Sequence, residues 1–205
     1  MVKTPPEPLP AFYRKKEKNR FLQEMKTDIA KKFDFRYRSI LCQRDLAICL
    51  IALGRNGEAL RVLDYAHQHV KFRRKYDVWY AAASACCVAA NVRRSEGNDQ
   101  RAKLDLQRFV DEPCHALMTQ PEIWTATFVR RHIAGERKHF GPSFDSADLS
   151  VAVEAMAWWA ATLIFFREMA VLGFPQKGKL NVARLDVLID EALALLRNRL
   201  QSEAM

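Results

Sequence analysis

The chain has little glycine and little proline. Seven glycines and eight prolines in 205 residues leave few sites for tight turns, and four of the prolines fall within the first ten residues. Past that lead the backbone has few breaks, which favours long helices over many short strands. No stretch alternates apolar and polar residues as a half-buried strand does. The five cysteines include no C-x-x-C pair, so a zinc ribbon and a thioredoxin-like motif are excluded. No G-x-S-x-G, G-x-G-x-x-G or Walker loop occurs, which removes the commonest hydrolase and nucleotide-binding signatures. The opening MVKTPPEPLPAFYRKKEKNR has no apolar core and does not read as a secretory leader. The uncharged apolar run from Ala155 to Phe166 is twelve residues. A membrane span needs about 20, so a buried core helix is expected there and no span.

What is present is apolar content for a core and a surplus of positive charge. Apolar residues make up 49% of the chain, which argues against global disorder. Net charge is +9, and residues 1–40 carry eleven Lys/Arg against five Asp/Glu. Three basic clusters stand out: RKKEKNR (14–20), KFRRK (71–75) and RRHIAGERK (130–138). Phe33, Phe35 and Tyr37 follow the first, and Phe72 and Tyr76 flank the second. This chemistry suits an acidic protein partner, and it also suits single-stranded nucleic acid held by phosphate contacts and stacking.

Residues 1–11 are expected to form a flexible Pro-rich lead, and 12–205 a single all-helical domain. A basic helix is expected over 12–32, then one from about Arg38 to Leu53. Gly54 should end the latter, and Asn56 should be the N-cap of the next, which starts at Gly57 and carries Leu60, Leu63, Ala66 and Val70 on its apolar face. Asp77 is expected to cap a helix running to Arg94, and Gly97 to end it. Asn98 or Asp99 starts the next. Thr119 with Glu122 reads as a capping box for a helix reaching about His139. Ser143, Ser146 and Asp148 offer caps for the long apolar helix that Gly173 closes. Leu185, Leu188, Ile189, Ala192, Leu193, Leu196 and Leu200 form one stripe on the last helix. The expected fold is all-α, with seven or eight helices arranged as antiparallel hairpins.

The first hairpin resembles a tetratricopeptide repeat. Ala47, Gly54, Ala59, Leu63 and Ala66 match that family's order and spacing of small and large apolar residues. Ala90, Gly97, Ala102 and Leu106 repeat part of the pattern, although Phe109 stands where a small residue belongs. The likeness covers residues 38–112, with the two bends 43 residues apart where the repeat has 34. It implies a tetratricopeptide-like array closed by the long C-terminal helices. It also implies a protein-binding concave face containing Arg44, Ile48, Cys87, Asn91 and Arg94. By its overall style, compact and helical with one Trp-rich apolar helix, the chain is also similar to immunity proteins that neutralise bacterial polymorphic toxins.

Candidate chemistry is sparse. His132, Glu136 and His139 share a helix face, but Arg130, Arg131, Arg137 and Lys138 crowd it and disfavour a divalent ion. His67 and His69 diverge on a helix. Cys114 and His115 are adjacent, and Cys114 reads as the exposed thiol. Cys42, Cys49, Cys86 and Cys87 read as buried small hydrophobes of a reducing compartment. Trp158 and Trp159 read as core filling, and Glu154 and Glu168 lie too far apart to share a proton. The expectation is therefore a non-catalytic, cytoplasmic protein-binding module with no cofactor and no metal. Its partner would be a protein with an acidic surface, of the bacterial toxin or effector class, with nucleic acid as the alternative. Arg44, Arg73, Arg74, Asn91 and Arg94 are the expected contact residues.

Overall fold

Gly54 and Gly97 take left-handed backbones, with φ of +74° and +76°. Each closes a helix by the same pair of bonds. The amide of Gly54 donates to Ile51 O at 2.9 Å and that of Arg55 to Leu50 O at 2.8 Å. The amide of Gly97 donates to Arg94 O at 2.9 Å and that of Asn98 to Arg93 O at 2.8 Å. These are Schellman ends, which need a residue free to adopt positive φ.

The structure is a computed structural model, and it describes residues 40–69, 76–110, 125–173 and 178–202. Among the described residues there are seven α-helices and no strand. They are α1 (Ile40–Ala52), α2 (Asn56–His69), α3 (Tyr76–Ser95), α4 (Asp99–Val110), α5 (Ala126–Phe140), α6 (Leu149–Val171) and α7 (Val182–Gln201), with a 3-10 turn at Gly141–Asp145. The all-α fold is as the sequence indicates. The basic helix expected over 12–32 lies outside the described residues, as do Val70, Arg73, Arg74 and Cys114.

Most helix starts follow short polar side chains. Asn98 Oδ1 accepts from the Arg101 amide at 3.2 Å, and Asn181 Oδ1 from that of Arg184 at 3.0 Å. Of the three caps offered before α6, Asp148 is the one used, accepting from Ser150 at 2.9 Å and Val151 at 3.3 Å. Three starts differ from expectation. Asn56, expected as a cap, is itself the first residue of α2, whose first turn bonds to Arg55 O. Asp77 lies inside α3, which already includes Tyr76. The Thr119–Glu122 box lies outside the described residues, and it does not open α5. Thr125 is extended (φ −101°, ψ 153°), and its hydroxyl accepts from the Phe128 amide at 3.1 Å, so the cap is local to Thr125.

α6 is the centre of the molecule. It packs against α1, α3, α5 and α7. One part of the core joins it to Leu46, Leu50, Val62 and Leu63 of the first two helices and to Leu185, Ile189 and Leu196 of α7. A second part joins Phe165, Phe166 and Met169 to Cys86, Cys87, Ala102 and Leu106. Burial on so many sides is what an all-round apolar sequence requires. α6 has 23 residues, longer than its uncharged run, and by length and composition it could cross a membrane; here 72% of its apolar window is buried inside the protein. It outgrows the uncharged run because Glu154 is exposed and because Arg167 and Glu168 are paired. On α7, Leu185, Ile189, Ala192, Leu196 and Leu200 are buried, while Leu188 and Leu193 are partly buried beside them.

Candidate functional site

Three of the five residues expected on an open concave face are buried beneath α6. Arg44, Ile48 and Cys87 have no exposed surface. The Arg44 guanidinium donates to Asp45 Oδ1 through Nε at 2.8 Å and Nη2 at 2.6 Å, and to Ser84 Oγ at 3.2 Å. It also lies 4.6 Å over the Trp158 ring. Arg44 is thus fully occupied within the fold and offers a partner nothing in this arrangement. Burial pushes the Asp45 carboxyl above its ordinary range and Glu154 adds to the shift, while the charge and hydrogen bond of Arg44 oppose it. Asn91 and Arg94 are partly buried and border an open cleft of about 500 Å³ beside α3 and α7. Arg73 and Arg74 lie outside the described residues.

Arg94, Arg167 and Asp186 line that cleft and belong to a chain of charges that sequence reading missed. Glu168 is fully buried. Its Oε2 accepts from Arg94 Nη2 at 2.9 Å, and its Oε1 from Arg167 Nη1 at 2.7 Å. Arg167 Nε continues to Asp186 of α7 at 2.9 Å, and Arg94 Nη1 reaches Asp99 of α4 at 3.1 Å. The line Asp99–Arg94–Glu168–Arg167–Asp186 therefore ties four helices together. The signal was present in the sequence as Arg167-Glu168 within an apolar helix, but its partners come from distant segments. Arg93, one residue earlier, lies 2.8 Å from Asp105 of α4, close enough for an ion pair although not aligned as a hydrogen bond.

The shared face of His132, Glu136 and His139 is largely exposed, and its side chains meet neighbouring rings. His132 Nε2 is 3.8 Å from Glu136 Oε1 and its ring meets Phe128 and Phe166, while His139 packs edge-on to Phe140. Glu136 Oε2 accepts from Trp158 Nε1 at 3.0 Å. Among the described residues, no group of three His, Cys, Asp or Glu side chains converges as a metal site would. Cys49, Cys86 and Cys87 are buried and in no disulfide, and burial raises the Cys49 and Cys87 pKa values well above the ordinary one.

A second concavity, of about 380 Å³, opens between α5 and α7. Both helices pack on α6 and scarcely touch one another, which leaves a trough between them. Trp159, the neighbour of Trp158, forms part of its floor, with Ile133, Leu180, Leu188 and Leu195 around it. Arg130 and Arg137 stand on the α5 wall and Arg184 on the α7 wall, against one carboxylate, Glu191. Arg130 Nη2 donates to Lys179 O at 3.1 Å, and Arg137 lies 4.5 Å over the Phe144 ring. Among the described residues none of these three arginines forms an ion pair. Leu195 is 45% exposed, although leucine is usually a core residue. Sequence reading placed Arg130 and Arg137 in a basic cluster but gave no sign that α7 would bring Leu188, Leu195 and Arg184 opposite them.

Compared with known proteins, the chain matches no family model, no curated protein and no solved structure.

Proposed function

We propose that the chain is a non-catalytic helical module that binds an acidic protein partner stoichiometrically, as a cytoplasmic inhibitor of the immunity type does. One observation carries this reading: the open apolar trough whose walls hold Arg130, Arg137 and Arg184 without carboxylate partners among the described residues. Apolar floors with unneutralised rims are the anatomy of protein interfaces, where burial supplies affinity and charge supplies on-rate. The two helix pairs at 40–110 we read as tetratricopeptide-like. With α6 lying on Arg44 and Cys87, however, the binding surface moves from that face to the trough. The buried thiols, which are in no disulfide, support a reducing, cytoplasmic setting.

The test is a tagged pull-down of the full chain from the cells that make it, at physiological salt, with nuclease-treated and high-salt arms. A single stoichiometric protein surviving both treatments is the expected result. Nucleic acid that co-elutes and is lost at high salt would overturn it in favour of phosphate binding.

A further inference from the structure

We infer that the trough between α5 and α7 receives one amphipathic helix of the partner, edged with carboxylates seven residues apart. This rests on the protein-binding reading and names the chemistry of the segment recognised. Arg130 and Arg137 are seven residues apart on α5, so they lie on one face about 10 Å apart along the axis. Arg184 and Glu191 repeat that separation on α7. An inserted helix that follows the trough can therefore present acids at i and i+7 to the α5 wall. Toward the α7 wall it meets one positive and one negative group, which fixes its direction. Its apolar stripe would rest on Trp159, Leu188 and Leu195, the helix-in-groove mode.

Charge favours an acidic occupant. At Arg44, Arg93, Arg94 and Arg167 a buried carboxylate lies within 2.6–2.9 Å of the guanidinium. The trough's three arginines have no such counterpart among the described residues. The chain's own first forty residues carry eleven Lys/Arg against five Asp/Glu and would be repelled from this rim.

The experiment uses the full chain with a photo-crosslinking benzophenone residue at Leu195 in the trough, or at Leu104 on α4 as a control. Both positions are exposed, at 45% and 56%. Irradiation in the producing cells should join Leu195, and not Leu104, to a protein segment with an apolar stripe and Asp or Glu at i and i+7. The double change Arg130→Glu and Arg137→Glu should cut the crosslink yield at least about tenfold, because it sets like charges together. Helical circular dichroism and the thermal midpoint of that variant check its folding, and Arg184→Gln serves as a milder second variant. A partner that crosslinks only from Leu104, or that is indifferent to both variants, overturns the trough and leaves the protein-binding reading standing. Crosslinks from Leu195 to residues 111–124 of the same chain, to a second copy, to nucleic acid or to lipid also overturn it. Capture of no protein from either position overturns both readings.

Discussion

Arg94 of α3 reaches across to Glu168 of α6, 74 residues later, and bonds it at 2.9 Å where the carboxylate has no contact with solvent. A lone carboxylate in that position would be costly, and two guanidinium groups make it tolerable. Removing the acid alone would leave Arg94 and Arg167 close together, each keeping only its more exposed partner, Asp99 or Asp186. Glu168→Ala is therefore expected to lower unfolding stability by about 3–5 kcal/mol. Denaturant titration checks this, and a loss under about 1 kcal/mol would contradict the role given to the pair.

Asp45 provides a pH signature of opposite sign to most acids. Its folded-state pKa is raised above the ordinary value of 3.8, with burial as the main cause. The folded state thus holds the proton more tightly than the unfolded chain, and stability falls as pH rises from near 3.8 through the folded-state value. Measured against Asp45→Asn at matched pH, the wild type should lose relative stability across that window and run parallel to the variant above it. A difference that grows in the wild type's favour with rising pH would reverse the assignment.

Glycine substitutions should separate backbone strain from space. Gly54 and Gly97 have no neighbour within 4 Å of an added Cβ, but both have positive φ. Gly54→Ala and Gly97→Ala should each cost about 1 kcal/mol, the left-handed penalty for an L-residue. Gly135 sits inside α5 with ordinary backbone and open space around it. Gly135→Ala should instead stabilise by about 0.5–1 kcal/mol. Thermal melts of the three variants decide between these signs.

Thiol labelling tests the core directly. Cys49 and Cys87 are fully buried, with pKa values raised by burial. Neither should react with iodoacetamide at neutral pH in the native protein, and both should react in denaturant. Peptide mapping that finds Cys87 labelled under native conditions would mean that α3 and α6 separate readily.

Much of the architecture can be read along the chain because its determinants are local. Gly54 and Gly97 follow long apolar helical runs and precede polar residues, the local pattern of a helix end at which a glycine takes positive φ at little cost. The stripe from Leu185 to Leu200 has one buried face in any packing. Asp148 and Asn181 cap the helices that follow them through amides only two or three residues away. Thr119 and Glu122 show the limit of such reading: a well-formed capping pattern does not start α5, because the Thr125 hydroxyl performs that task next to the helix itself.

The candidate site was less legible, since it depends on which helix covers which. Sequence determined an all-α protein with buried thiols, a central apolar helix and arginines to spare. It could not decide that α6 would lie on the face bearing Arg44 and Cys87, nor that Glu168 would meet Arg94 there. Nor could it decide that α5 and α7 would stand apart over Trp159. An arginine has the same local signature whether it ends in a buried ion pair or on an open rim. Only long-range packing removes the water from one and leaves it around the other, and that difference in solvation separates Arg44 from Arg184.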